Sequence, residues 1–437
     1  MKNHFKTFFT TSSRIVLTWA LVMSTATVIT TAVAASPSWV ATWGASPQPV
    51  WGADFPLPTN MPTELHDQTV RQVARISLGG ERFRLVLSNT HGSQPLNIGK
   101  VTFAQANNNH SIAADSLRTV TFGGQETATI LPGALLVSDP VASAIPALTQ
   151  VAVSVYLPKA TPMSTFHWDG RQTSWIVAGD QTSVLELKVA EASAQSTTAR
   201  PLLVGVQVET EQAAQAVVVL GDSITDGNTA SLDKDSRWPD FLAKRLAPQG
   251  VSVINAGISG ARLLSDGMGV NALARLERDV LAQPGVQSVI VMIGINDIAW
   301  PGTIFAPQSP KPTFEALTAG YRQLAEQVHA RGLRVIGATL TPFEGALPGT
   351  PMDNYYQPDK DALRQQVNAW IRRSGTFDAV IDFDAVLRDP VHPTRLLPRF
   401  DSGDRLHPGD EGNQAMAEAV DLKMLFPANK ALLKAAH

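Results

Sequence analysis

Two hydrophobic rhythms run along this chain. From about Trp39 to Glu209, short apolar runs are broken by turn formers: "RQVARISL" (71–78), "RFRLVLSN" (82–89), "VTFA" (101–104), "QVAVSVYLP" (150–158), "SWIVAG" (174–179) and "LLVGVQVE" (202–209). Alternation with period two and no long amphipathic helix predicts antiparallel strands folded as an all-β sandwich. Inside this half, "KVAEASAQSTTARP" (188–201) reads as a linker. Past Gln212 the runs become continuous: Val217-Val218-Val219-Leu220, "VSVIN" (251–255), "VQSVIVMI" (286–293), "LRVIGATL" (333–340) and "FDAVIDF" (377–383). Such runs suit strands covered on both faces. Between them, Phe314, Leu317, Tyr321, Leu324 and Val328 fall on one helical face with Gly332 just beyond, and a second helix runs from about Pro358 to Ser374 before Gly375. Strands alternating with helices predict a parallel sheet with right-handed crossovers, an α/β domain of three α/β/α layers.

The first residues follow neither rhythm. Lys2, Lys6 and Arg14 precede the apolar "IVLTWALVMSTATVI", and Ala32-Val33-Ala34 has the form of a cleavage signal. The apolar run is about 15 residues and diluted with Thr and Ser, short of the ~20 that span a bilayer. The expected organisation is an export signal over 1–34, a jelly-roll-like β-sandwich accessory domain over 35–211 and the α/β domain over 212–437. The product would be secreted or periplasmic, without stable membrane insertion after cleavage. The chain has no cysteine, so core packing must hold an exported protein together without disulfides. Its 35 Lys plus Arg against 38 Asp plus Glu give no basic excess, which argues against a nucleic-acid partner. Five of the nine tryptophans, Trp39, Trp43, Trp51, Trp168 and Trp175, lie in the β-rich half. They read as sandwich core, with a sugar-stacking platform as the alternative.

Open α/β sheets bind ligands beyond the carboxyl ends of their strands, and there the polar residues collect. Successive strand ends read "GDSITDG" (221–227), "NAGISG" (255–260) and "GIND" (294–297), and "DRLHPGDEG" (404–412) precedes the last helix. Serine, histidine and aspartate are the parts of an acyl-transfer site. A hydroxyl becomes a nucleophile when an imidazole takes its proton, and a carboxylate fixes that imidazole's tautomer. Ser223, His407 and Asp404 are the candidates. The backbone N–H groups of Ser223 and Gly260 with the Asn296 amide would then supply an oxyanion hole. Asp222 and Asp297 read as supporting carboxylates, bonding the turn or a neighbouring block. Taken singly, Ser223 is also a helix cap, Gly260 a turn residue and Asn296 an Asx-turn former. The combination is what points to chemistry.

These four blocks resemble those of the SGNH/GDSL hydrolase superfamily of esterases and lipases. The resemblance rests on Gly221-Asp222-Ser223-Ile224, Gly260, Gly294 to Asp297 and Asp404 to Pro408, and covers roughly residues 215–426. It implies a flavodoxin-like α/β/α hydrolase domain, a serine ester hydrolase mechanism and the roles just given. The N-terminal half, including "WVATWGASPQP", resembles a β-rich region that precedes the hydrolase domain in some secreted bacterial members linked to deacetylation of plant polysaccharides. The expected partner is therefore a small-molecule or polysaccharide ester, with acetyl on carbohydrate favoured. A lipase or lysophospholipase on longer chains, or an inactive glycan-binding protein, is the alternative.

The Asp-x-x-His-Pro pattern occurs twice, at Asp389 to Pro393 and at Asp404 to Pro408. The second precedes a helix that would anchor it, whereas His392 sits in a proline-rich loop. There is no His-Glu-x-x-His, EF-hand loop or dinucleotide fingerprint, so neither metal nor cofactor is expected, and no Gly-x-Ser-x-Gly elbow. The loops 299–312 and 342–360 follow strand ends on the same side, making Trp300, Phe305, Tyr355 and Tyr356 candidate pocket walls.

Overall fold

The computed structural model describes residues 38–210 and 214–426. The export signal expected at 1–34 and the domain boundary expected at 211/212 lie outside the described residues. In the β-rich half, one antiparallel sheet has the order Ser38–Gly44, Leu203–Thr210, Gly80–Ser88, Leu135–Val137, with Val141–Ile145 also paired to Gly80–Ser88. A second has the order Gln195–Thr197, Ser174–Ala178, Gln68–Arg75, Gln150–Leu157, Lys100–Gln105, Arg118–Val120. Period-two alternation aims one set of side chains between them. Phe83, Leu85 and Leu87 from the first sheet meet Val101, Phe103, Val151, Val153 and Val155 from the second. The rings of Phe83 and Phe103 lie 5.4 Å apart. Each fully buried side chain of this size contributes roughly 1.5–3 kcal/mol.

Two expectations need correction here. The stretch 188–201 is not a linker: Gln195–Thr197 pairs with Ser174–Ile176 as an edge strand, and Arg200–Pro201 pairs with Phe166–His167. An edge strand that buries only Thr197 needs no apolar pattern, so sequence periodicity missed it. Nor are the tryptophans mainly sandwich core. Trp43 joins it, but Trp39 lies under Arg84, Trp175 donates to Asn109, and Trp51 and Trp168 pack in a separate aromatic cluster.

The second half is an α/β domain. Its strands are β1 (Gln215–Gly221), β2 (Val251–Gly257), β3 (Val286–Met292), β4 (Arg334–Ala338) and β5 (Ala379–Ile381), all parallel, in the order β2-β1-β3-β4-β5. The apolar runs are continuous because both faces are covered. Val218, Leu220, Ile254, Val289 and Val291 pack on one face with the helices Phe314–His329 and Pro358–Arg373. Val217, Val219, Val253, Ile290 and Met292 pack on the other with Trp238–Leu246 and Asp410–Glu418. Helix Phe314–His329 starts at Thr313, whose hydroxyl accepts from Ala316 N–H, and buries Leu317, Tyr321, Leu324 and Val328 as its spacing predicts. The strand order reverses at β1, which places the ligand crevice beyond its carboxyl end.

The two halves form a single compact unit. Ser252 Oγ donates to Ala41 O at 2.6 Å, and Arg75 Nη2 donates to Asp240 O at 2.8 Å. The loop after the first strand is pinned to the sandwich: Asp233 accepts from Thr173 N–H at 2.6 Å, and Asp235 accepts from Gln172 at 2.6 Å and Gln150 at 2.8 Å. Among the described residues no helix is long and apolar enough to cross a membrane.

Candidate active site

Four chain segments converge beyond the carboxyl ends of β1, β2 and β3. Gly221 ends β1, Asp222 caps a four-residue helix by accepting Ile224 N–H at 3.1 Å, and Ser223 opens that helix. A Cβ at Gly221 would lie 2.1 Å from Thr225 Oγ1, so only glycine fits this tight exit. Ser223 Oγ lies 2.8 Å from His407 Nε2. His407 Nδ1 lies 2.6 Å from Asp404 Oδ2, while Asp404 Oδ1 accepts the N–H groups of His407 at 2.8 Å and Leu406 at 2.9 Å. Burial alone would push the Asp404 carboxyl up, but the ring of His407 and these N–H groups hold it down at about 2. An ionised Asp404 fixes the Nδ1–H tautomer, which leaves Nε2 free to accept from the serine hydroxyl. The structure thus brings Ser223, His407 and Asp404 together. His392 is on an exposed loop where Asp389 caps its own turn, accepting Val391 N–H at 2.8 Å.

Gly260 sits in the turn Ile258–Ala261, closed by a bond from Ala261 N–H to Ile258 O at 3.0 Å. Its φ of +72° at the third turn position is that of a type II turn, where glycine alone is unstrained. Among the described residues no acceptor takes its N–H. Asn296 is buried, with Nδ2 donating to Ala261 O at 3.0 Å and Oδ1 accepting from Tyr355 Oη at 2.8 Å. Burial raises Tyr355 well above the usual phenol value, so it stays a donor and, together with Ala261 O, fixes the orientation of the Asn296 amide. The sequence marks Tyr355 only as a wall, and nothing local signals this second contact.

Asp222 and Asp297 differ in what holds them. Asp297 accepts Leu263 N–H at 2.7 Å and Leu264 N–H at 2.9 Å, tying the third block to the second. Burial nevertheless pushes it up to about 6. Asp222 has one oxygen on Ile224 N–H and the other, Oδ2, buried without a partner among the described residues, and burial pushes it up to about 7. Arg275, fully buried, was missed by sequence reasoning. It donates to Gly221 O at 3.1 Å and Ala256 O at 2.8 Å, holding the ends of β1 and β2 together. A lone arginine on a short helix carries no signal for that role.

The residues open on a cleft of about 390 Å³. Trp300, Ile304, Phe305, Leu347, Met352 and Tyr355 line it from the α/β half, while Pro56, Leu57 and Trp168 line it from the β-rich half. Trp300, Phe305 and Tyr355 are thus walls as expected, whereas Tyr356 packs against Phe343 outside the lining. The aromatic cluster spans both halves, with Phe55 stacked on Phe305 at 5.3 Å and Trp51 5.8 Å from Trp168. Among the described residues no group of three or more His, Asp or Glu is placed to hold a metal ion.

Residues 217–420 match the family model of the GDSL-like lipase/acylhydrolases. Among solved structures, the acetylxylan esterase Axe2 of Geobacillus stearothermophilus is 24% identical over 49% of this chain and 95% of its own, with a TM-score of 0.35. A GDSL-like lipase from Bacteroides thetaiotaomicron is 20% identical over 51% of this chain and 89% of its own, also with a TM-score of 0.35. No curated protein matches the chain.

Proposed function

Residues 217–420 belong to the GDSL-like lipase/acylhydrolase family, and from that premise we propose that this protein is a serine carboxylic ester hydrolase. The observation that carries the reading is the bonded chain from Ser223 Oγ through His407 to Asp404, at 2.8 and 2.6 Å, facing the cleft. In this mechanism His407 Nε2 takes the hydroxyl proton as Ser223 attacks the ester carbonyl. The oxyanion is received by the N–H groups of Ser223 and Gly260 and by the Asn296 amide. His407 then returns the proton to the leaving alkoxide, and water, activated by the same nitrogen, releases the acid and regenerates the serine. Asp404 holds the ring and stabilises its charged form throughout.

Acyl groups longer than acetyl are the reading that the apolar walls of the cleft support. At about 390 Å³, walled by Leu57, Met268, Ile304, Phe305, Met352 and Leu406, it offers an apolar surface that an acetyl methyl would leave mostly unfilled. A second reading, acetyl on carbohydrate, is supported by the aromatic faces of Trp168 and Phe305, which suit a sugar ring as well as an alkyl chain. Export is read from the basic, apolar and Ala-Val-Ala pattern of residues 1–34. The test is hydrolysis of a graded series of acyl p-nitrophenyl esters and acetate release from acetylated xylan, each with wild type and Ser223→Ala. Turnover lost in the variant, with an optimum beyond acetyl, supports the reading. Acetate release with a preference for the shortest ester moves the substrate to carbohydrate, and turnover retained in Ser223→Ala overturns the mechanism.

A further inference from the structure

A histidine of the β-rich half reaches the turn that carries Gly260. His167 is buried, with Nδ1 3.0 Å from Ser46 O and Nε2 2.9 Å from Asp226 Oδ1. A carbonyl oxygen only accepts, so Nδ1 must carry a proton. The carboxyl group of Asp226 facing Nε2 then favours a second ring proton there, and with it a positive charge. Burial opposes that charge, but the Asp226 carboxylate and the Ser46 carbonyl overcome it and raise the imidazole above its ordinary value. Asp226 is equally buried, and its other oxygen, Oδ2, accepts both the N–H of Ser259 at 2.9 Å and its hydroxyl at 2.8 Å. Ser259 is the residue before Gly260.

Turn geometry makes that contact consequential. Type II and type I turns differ mainly by a flip of the central peptide, which here is the Ser259–Gly260 peptide carrying the Gly260 N–H. The flip reverses the direction of that N–H. Because glycine is permissive, its own backbone does little to choose between the two forms. The ends of the turn are held by Ile258 N–H on Gly221 O at 3.2 Å and Asn296 Nδ2 on Ala261 O at 3.0 Å, and its central residue Ser259 is held by Oδ2 of Asp226, whose Oδ1 is held by His167. Of the other links between the halves, Ser252 to Ala41 and Asp233 to Thr173 lie away from this turn, while Gln48 Nε2 donates at 2.8 Å to the carbonyl of Met268, which packs on Gly260.

We infer that His167 is a positioning residue for ester hydrolysis: through Asp226 and Ser259 it locks the Gly260 turn with its N–H turned toward the oxyanion. The inference rests on the proposed role of Gly260 in the reaction above. It also gives the β-rich half a part in transition-state stabilisation, beyond bracing. Loss of an oxyanion donor costs about 10²–10³ in kcat, and a donor left free to flip should cost roughly 10- to 100-fold.

The test is His167→Gln, which has a single amide donor group and cannot serve Ser46 O and Asp226 in the same way. Active sites are titrated with a p-nitrophenyl alkylphosphonate. Then kcat per titrated site, KM for a p-nitrophenyl ester, and affinity for an alkyl boronic acid that forms a tetrahedral serine adduct are measured. The expected result is kcat per site down roughly 10- to 100-fold, KM changed by less than about threefold, and boronic acid affinity falling in parallel with kcat/KM. A variant with fewer titratable sites but unchanged kcat per site would reduce His167 to a brace and overturn the inference. If His167→Gln yields no titratable protein, Asp226→Asn, which keeps size and shape, is read by the same two outcomes. Ser259→Ala, which removes only the hydroxyl bond, should lower kcat per site by less than either. Activity surviving in Ser223→Ala would instead sink the functional reading itself, so the two failures are distinguishable.

Discussion

The α/β half and the β-rich half contribute to the cleft in different ways. Every group proposed to move a proton or meet the oxyanion comes from the α/β half: Ser223 one residue past the N-cap, Gly260 in a four-residue turn, Asn296 on a short helix after β3, and His407 beside Asp404 just before a helix. The β-rich half gives a wall, in Pro56, Leu57 and Trp168, and a clamp, in His167. Groups that transfer protons must be held within a few tenths of an ångström, and short turns on rigid strand ends do that locally. A wall needs only shape, and shape can be supplied by another part of the chain. The sandwich is therefore part of the cleft: with its face removed, Phe305 would lose Phe55 from its ring and Met268 O would lose the amide of Gln48.

The comparison breaks most sharply at the serine and histidine. Ser223→Ala and His407→Ala should each lower kcat by on the order of 10⁴- to 10⁶-fold. His392→Ala, on its exposed loop, should leave ester hydrolysis near wild type. Steady-state rates on one p-nitrophenyl ester check all three. A large loss in His392→Ala beside a mild one in His407→Ala would transfer the chemistry to the other Asp-x-x-His-Pro loop.

Next in size is the oxyanion side of the α/β half. Asn296→Ala should lower kcat by about 10²–10³ with a much smaller change in KM. Tyr355→Phe keeps the ring but frees the Asn296 amide, and a loss of about tenfold is the scale of one hydrogen bond worth roughly 0.5–1.5 kcal/mol. If Tyr355→Phe affects KM alone, the tyrosine is a wall and no more.

These two halves were unequally legible in the sequence. The parallel strands show as continuous apolar runs because both faces are covered, and the catalytic candidates show because their neighbours in space are also neighbours in short motifs. Asp404 and His407 are three residues apart, and Asp222 and Ser223 are adjacent. What the sequence hid was contact at long range. His167 lies 59 residues from Asp226 and Tyr355 lies 59 from Asn296, and neither stands in a pattern that demands its partner. Trp168 belongs to a β-rich stretch where a core role is the simplest reading, yet it faces the cleft. The stretch 188–201 looked like a linker because an edge strand buries so little that it carries no period.

A smaller effect concerns how buried carboxylates are held. Asp226 is clamped by His167, whereas Asp222 keeps one oxygen without a partner among the described residues. Burial pushes Asp222 up to about 7, against ~3.9 in an unfolded chain. Between about pH 4 and 7 the native state thus holds a proton that the unfolded state has released, so this group's contribution to stability is full below pH 4 and is lost as pH rises through 7. Asp222→Asn keeps an acceptor for Ile224 N–H and cannot ionise. Urea denaturation at pH 4, 6 and 8 should show the variant gaining on wild type by on the order of 4 kcal/mol across that range, each tenfold in proton affinity being worth about 1.4 kcal/mol. A difference independent of pH would mean Asp222 is solvated or paired in solution.

The mildest change tests the wall of the β-rich half directly. Trp168 is held by its own indole, Nε1 donating to Pro58 O at 2.9 Å, and by its backbone N–H donating to the Gln48 side chain at 2.8 Å. In Trp168→Ala the second bond survives and the first is lost, so the loop keeps one anchor while the cleft loses an apolar face. If acyl chains rest on that face, kcat/KM for the best long ester should fall by about tenfold, the scale of one or two methylenes seated in a hydrophobic pocket, while the acetyl ester changes by less than about threefold. Ile304→Ala, in the wall from the α/β half, should shift the same chain-length profile in the same direction. A Trp168→Ala profile that falls equally at every chain length would place the acyl group against the α/β walls alone, and the β-rich half would then shape the cleft for the alcohol side of the ester instead.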